Sequence, residues 1–79
     1  MSATMAFYPE PGSRVTCHDY GTERTPILNM WSAPVTLTLA GDDKLPLADH
    51  LAFARSLAAE TAAYLAALER YAALTNQAA

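Results

Sequence analysis

The sequence predicts an α+β fold, in which a three-stranded antiparallel sheet is followed by one long C-terminal amphipathic helix in the order β-β-β-α. Two observations support this. Apolar and polar residues alternate strictly over 35–39, as in a strand with one buried face. From about residue 45 onward alanine dominates and glycine is absent, which is typical of a helix. We expect a single domain, with an irregular arm over 1–13, the sheet over 14–39 and the helix over 45–75.

The N-terminal arm has no expected helix or strand, because Pro11 and Gly12 interrupt regular structure. The sequence leaves open whether this arm is ordered. It carries three large apolar residues that would tie it to a surface: Met5, Phe7 and Tyr8.

Three runs of residues predict the strands. Arg14–Tyr20 contains residues that favour strands and is followed by Gly21–Thr25, a polar connection of hairpin length. Ile27–Trp31 is the second run, and Ser32–Pro34 breaks it. Val35–Leu39 is the third and has the clearest alternation.

The start and end of the helix are marked by residues with known positional preferences. Asp42-Asp43 beside Gly41 predict a turn before it. Pro46 suits the first helical turn, where its missing N–H costs nothing, and Asp49 is favourable near the positive end of the helix dipole. Asn76 is a candidate stop.

The predicted helix is longer than the predicted sheet. About 28–30 helical residues span about 42–45 Å, whereas a six-residue strand spans about 20 Å. Part of the apolar face must therefore contact something other than the sheet, or stay exposed.

One stripe of this helix repeats in alternating steps of four and three residues, the spacing of a heptad repeat. Its leucines and small alanines predict a helix–helix interface with a second copy of the chain, and hence a homodimer. The alternative is that the same residues fill the inner face of a helix packed on the sheet. This stripe, called the seam below, comprises Leu47, Leu51, Ala54, Ala58, Thr61, Leu65, Leu68 and Ala72.

Three residues beside the seam extend the hypothesis. Tyr64 and Tyr71 are included in the predicted interface, although an aromatic stripe of this kind is more often part of a core. Glu69 lies at the edge of the seam, where it would pair with an arginine of a partner chain or remain a solvated edge residue.

A second contact patch is predicted around the middle strand. Trp31 and Met30 point to opposite sides of it, so both sides carry large apolar groups. Whichever side the helix leaves uncovered becomes a patch with Tyr20 and His18, because tryptophan and tyrosine are favoured at protein interfaces. The alternative is that the N-terminal arm folds back and covers it.

No catalytic, cofactor-binding or metal site is predicted. Cys17 is the only cysteine, which excludes an internal disulfide. In a strand, Cys17 and Asp19 point away from His18, so the three cannot form a relay or a metal site. The glycines are isolated and form no phosphate-binding loop. We therefore expect no enzyme activity and no small-molecule substrate.

The charge and the apolar runs disfavour two further classes of partner. The net charge is −3 and the basic residues are scattered singly, which disfavours direct nucleic-acid binding. The longest uncharged run, Thr25–Gly41, is broken by prolines, so no membrane span is expected. A lone cysteine without a secretory leader predicts a cytoplasmic location.

The order of these segments carries a resemblance. Val15–Gly21, then Pro26–Leu28, Val35–Leu39 and Ala52–Ala58, resembles short uncharacterised proteins of actinobacteria and their phages. The resemblance covers most of the chain and implies a small accessory protein of a mobile element or its host.

Three functional hypotheses remain. The first is a protein-interaction module, homodimeric through its helix, such as a phage accessory regulator or inhibitor of host machinery. The second is a structural subunit of a larger multi-copy assembly. The third is a dimeric nucleic-acid-associated regulator that gathers Arg14, Arg24 and Lys44 into one basic patch.

Overall fold

The predicted order of elements is confirmed by the computed structural model, which describes residues 3–41, 44 and 46–78. A three-stranded antiparallel sheet is followed by one long helix. The chain divides into two units, Met1–Asp42 and Asp43–Ala79. That the helix packs on the sheet stays a prediction. The elements are β1 Arg14–His18, β2 Ile27–Ser32, β3 Val35–Ala40 and α1 Leu47–Ala78.

The register of the sheet separates a polar face from an apolar face. The strands lie in the order β1-β2-β3, with Cys17 opposite Leu28 and Leu28 opposite Leu39. Because side chains alternate along each strand, that row shares a face with the row formed by Val15, Met30 and Leu37. The opposite face carries Arg14, Thr16, His18, Ile27, Asn29, Trp31, Thr36, Thr38 and Ala40.

β1 ends at His18, two residues earlier than the sequence predicts. The cause is a local turn, in which the Gly21 N–H donates to Asp19 Oδ1 at 2.9 Å. Gly21 has φ of 64°, a conformation that a glycine adopts without steric cost. The Glu23 N–H then donates to the Tyr20 carbonyl at 3.2 Å and closes the connection to β2.

The N-terminal arm has no helix or strand over 3–13, and it is held to the sheet by a turn and a buried serine. The Ser13 N–H donates to the Glu10 carbonyl at 3.0 Å, with Pro11 and Gly12 between them. Gly12 has φ of 89°, the positive value that the third position of a type II turn requires. Ser32 Oγ accepts from the Glu10 N–H at 3.2 Å and donates to the Tyr8 carbonyl at 3.3 Å.

α1 has 32 residues, about 48 Å at 1.5 Å per residue. The Pro46 carbonyl accepts from the N–H groups of Asp49 and His50, so Pro46 precedes the first turn as its capping residue. The helix continues past Asn76, the candidate stop, since the residues after it are tolerated in a helix. The turn at Asp42-Asp43 and a start at Leu45 lie outside the described residues.

Candidate interaction surfaces

The seam of α1 is exposed along its length. Relative exposure is 45% for Leu51, 57% for Leu65 and 47% for Leu68. Ala54, Ala58 and Ala72 are exposed as well. Among the described residues, no hydrophobic residue of the chain is buried. Nothing within α1 itself therefore covers this apolar stripe.

The polar members of the helical repeat are already satisfied by their own backbone. Thr61 Oγ1 donates to the carbonyls of Leu57 and Ala58 at 2.8 and 3.0 Å. Thr75, which continues the seam by one step of three residues after Ala72, donates to the Tyr71 carbonyl at 2.8 Å. Neither hydroxyl needs water as a partner, so both positions can be buried against another helix without an unsatisfied polar group.

The tyrosines beside the seam are the most exposed of its neighbours. Tyr64 and Tyr71 are 65% and 68% exposed. The structure does not place them in a core, and their role in an interface stays a prediction.

The second predicted patch is divided between two faces of the sheet. Trp31 and His18 lie on the polar face, whereas Met30 lies on the apolar face with Cys17 and Leu28. Tyr20 follows the end of β1 and stacks against His18, with ring centroids 6.4 Å apart. Trp31, His18 and Tyr20 therefore belong to one face, and Met30 to the other.

Two arginines lie over the aromatic rings of that face. The guanidinium carbon of Arg14 is 5.9 Å from the Trp31 ring centroid, and that of Arg24 is 4.7 Å from the Tyr20 ring centroid. Both distances fall within the range of cation–π attraction. Trp31 remains 40% exposed, so the arginine covers it only in part. Sequence reasoning missed both pairs, although the cross-strand register of Arg14 and Trp31 would have suggested the first.

The N-terminal arm lies against the β2–β3 hairpin, at the end where β2 leads into β3. It bonds to Ser32, whose residue exposure is 5%, while Met5 and Tyr8 stay 76% and 77% exposed. A recess of about 150 Å³ lies between the arm and the hairpin, beside Phe7 and Val35. Small-molecule sites usually measure about 300–1,000 Å³. The recess is thus a packing gap rather than a ligand pocket.

The residues considered for metal or relay chemistry do not converge. Cys17 faces Leu28 across the ladder and His18 faces Ile27, so their side chains lie on opposite faces. Within 3–41, 44 and 46–78, no group of three or more His, Cys, Asp or Glu side chains is placed to hold a metal ion.

By length and composition, the stretch Leu47–Asn76 is apolar enough to cross a membrane, with a mean hydropathy of 1.2. The stretch is not an uncharged run, because charged residues interrupt it. Core helices of soluble proteins that are mostly buried meet the same criterion, whereas none of this stretch is buried. Arg55 and Glu60 lie well inside the stretch, and a charged side chain at the centre of a spanning helix costs about 2.5–3.5 kcal/mol.

Comparison of the chain with protein-family models, with curated proteins and with solved structures found no match in any of the three.

Proposed function

We propose that this chain is a non-enzymatic protein-interaction module of the cytoplasm, which self-associates through the seam of α1. The observation that carries the proposal is the exposure of Leu51, Leu65 and Leu68 on one face of a 32-residue helix. Helices in proteins draw most of their stability from packing of an apolar face rather than from propensity. A second copy of the chain supplies such a face at the same concentration.

The chemistry of the seam favours a protein partner over lipid. Its two pairs of leucines are separated by two alanines and a threonine, and these small residues allow the close approach of another helix. Arg55 follows Ala54 in the sequence and borders the seam. In a helix dimer Arg55 lies at the solvated edge of the interface, whereas in a bilayer lipid would surround its charge, which is costly.

The proposal is tested by Leu65→Asp, with Ala63→Asp as the matched control on the outer side of the helix. Wild type and the control are expected to sediment as dimers. Leu65→Asp is expected to sediment as a monomer, or to weaken the dimer at least about 100-fold, because a carboxylate buried in an apolar interface costs several kcal/mol. Light scattering gives an independent mass.

Three outcomes would contradict the proposal. A wild-type monomer at every accessible concentration would remove self-association. An unchanged, folded Leu65→Asp dimer would place the interface elsewhere. Partitioning of the wild type into phosphatidylcholine vesicles in place of dimerisation would assign the helix to a bilayer.

A phage accessory regulator or inhibitor of host machinery is one version of this function, which rests on the small size of the chain, its mild acidity and the lack of a predicted chemical site. A structural subunit would instead give masses that grow with concentration, since a non-closing contact forms open assemblies. For a nucleic-acid regulator, Arg14 and Arg24, which lie over Trp31 and Tyr20, would contact phosphates with the edges of their guanidinium groups. Binding to DNA at low salt would support that alternative.

A further inference from the structure

We propose that the second copy packs antiparallel to the first, in a register that places Arg55 against Glu69 of the second copy and Glu69 against Arg55 of the second copy. This inference rests on the proposed function and adds the direction, register and charge contacts of the dimer. It is carried by the two charged residues that border the seam.

Arg55 and Glu69 occupy the same position of the repeat. Arg55 is four residues after Leu51, and Glu69 is four residues after Leu65. In heptad terms both flank the same edge of the seam, separated by two heptads. Ala62, midway between them, is the equivalent residue of the intervening heptad.

Neither charge has a partner in its own helix. Side chains on a helix meet when they are three or four residues apart. Every such neighbour of Arg55 and Glu69 is uncharged, and both residues are exposed. These neighbours are Leu51, Ala52, Ala58 and Ala59 for Arg55, and Leu65, Ala66, Ala72 and Ala73 for Glu69.

In an antiparallel pair of helices, flanking residues of the same heptad position meet across the interface. Arg55 and Glu69 share a heptad position and have opposite charges, so each can contact the other residue in the second copy. The two-fold axis then passes level with the middle of α1, near Ala63, and the helices overlap over almost their whole length. The central layers of the seam become Ala58 against Leu68 and Thr61 against Leu65, so in these layers a small residue faces a leucine. The outer layers pair Ala54 with Ala72 and Leu51 with Thr75.

Other arrangements lose the charge contacts. A shift of one heptad also keeps the seam paired, but moves Glu69 to Ala48 or to Ala62 of the second copy. In a parallel dimer, flanking residues of unlike type meet, which places Glu69 beside Tyr64 and Arg55 beside His50. Only the register proposed here pairs both opposite charges, and the dipoles of antiparallel helices also oppose each other favourably.

The test is a charge-reversal cycle in the full-length chain. Arg55→Glu and Glu69→Arg each create two like-charge contacts per dimer, and each is expected to weaken the dimer about 3- to 30-fold at low salt. The double variant restores the opposite pairs in reversed order, so it is expected to return to within about 3-fold of wild type. The effects of the single variants are expected to shrink in high salt.

A second cycle with the same charge changes is the matched control. Arg70→Glu and Glu60→Arg lie on the outer side of the helix, and their double variant is expected to show additive effects. Additive effects in the Arg55 and Glu69 cycle, with wild type still dimeric, would overturn the register and leave the proposed function intact. A wild-type monomer would instead overturn the proposed function.

Direction is measured independently of the charges. Ser56 is exposed on the outer side of α1, so Ser56→Cys in a Cys17→Ser background carries one spin label per chain. The proposed register displaces the two labels along the helix axis by about 21 Å. A parallel dimer gives no axial displacement and a one-heptad shift gives about 10 or 31 Å, and any of these values would overturn the register.

Discussion

The sheet unit and the helix differ in the range of the contacts that hold them. In the sheet, residues far apart in sequence are joined, and Ser32 bonds to Glu10 and Tyr8, which precede it by 22 and 24 residues. In α1 the described hydrogen bonds are local, and even the hydroxyls of Thr61 and Thr75 return to carbonyls three or four residues earlier.

The difference indicates which unit needs a partner. Three strands with one apolar face form a recognisable folding unit, and its half-buried residues include Leu28, Met30, Leu37 and Leu39. Helices in proteins draw most of their stability from packing of an apolar face rather than from their local hydrogen bonds. The stability of α1, whose leucines are exposed, therefore depends more on association than the stability of the sheet unit does.

The largest expected effect is a dependence of the thermal stability of the helix on protein concentration. The Tm of α1, followed by far-UV circular dichroism, is expected to rise with protein concentration, because each tenfold increase adds about 1.4 kcal/mol to the apparent stability of a dimer. Trp31 is the only tryptophan and lies in β2, so its fluorescence reports the sheet unit separately.

The expected result is a concentration-dependent transition for the helix and a concentration-independent one for Trp31. Coincident transitions that shift together would show that the two units unfold as one body. A helical transition whose Tm does not depend on protein concentration would mean that α1 is stable without a second copy of the chain.

Ser32→Ala tests how much the long-range hydrogen bonds of Ser32 stabilise the sheet unit. The change removes the donor to the Tyr8 carbonyl and one of the two acceptors of the Glu10 N–H, at a residue that is 5% exposed. The other acceptor, Ser13 Oγ at 2.7 Å, remains. We expect a loss of about 1–2 kcal/mol in the free energy of unfolding of the sheet unit. Urea denaturation followed by Trp31 fluorescence measures it, and an unchanged midpoint would show that the arm contributes nothing to the sheet.

Gly12→Ala is expected to have the smallest effect. A Cβ at φ of 89° is sterically disfavoured, at a cost of about 1 kcal/mol, although no heavy atom of the described residues beyond Gly12 and its two chain neighbours lies within 4 Å of its position. Gly12→Asn, whose side chain tolerates positive φ better, is expected to lose less than Gly12→Ala. Equal losses for the two variants would assign the effect to something other than backbone conformation. Neither change is expected to alter the dimer.

Several features were predictable because they follow from local patterns. The alternation of Val35–Leu39 predicted β3, and alanine-rich composition after Pro46 predicted α1. The seam could be traced from spacing alone, and the structure adds that its leucines are exposed. The burial of Ser32 could not be predicted, because its partners belong to an arm without any periodic pattern.

The sequence by itself determined the order of the elements and the faces of each strand and helix, because propensity and periodicity act between near neighbours. Only the tertiary structure decided that Ser32 anchors the arm and that Arg14 and Arg24 lie over Trp31 and Tyr20. These depend on where turns bring the backbone and on which rotamer a side chain adopts. Such geometry is set by packing and hydrogen bonding in three dimensions, which residue spacing does not specify.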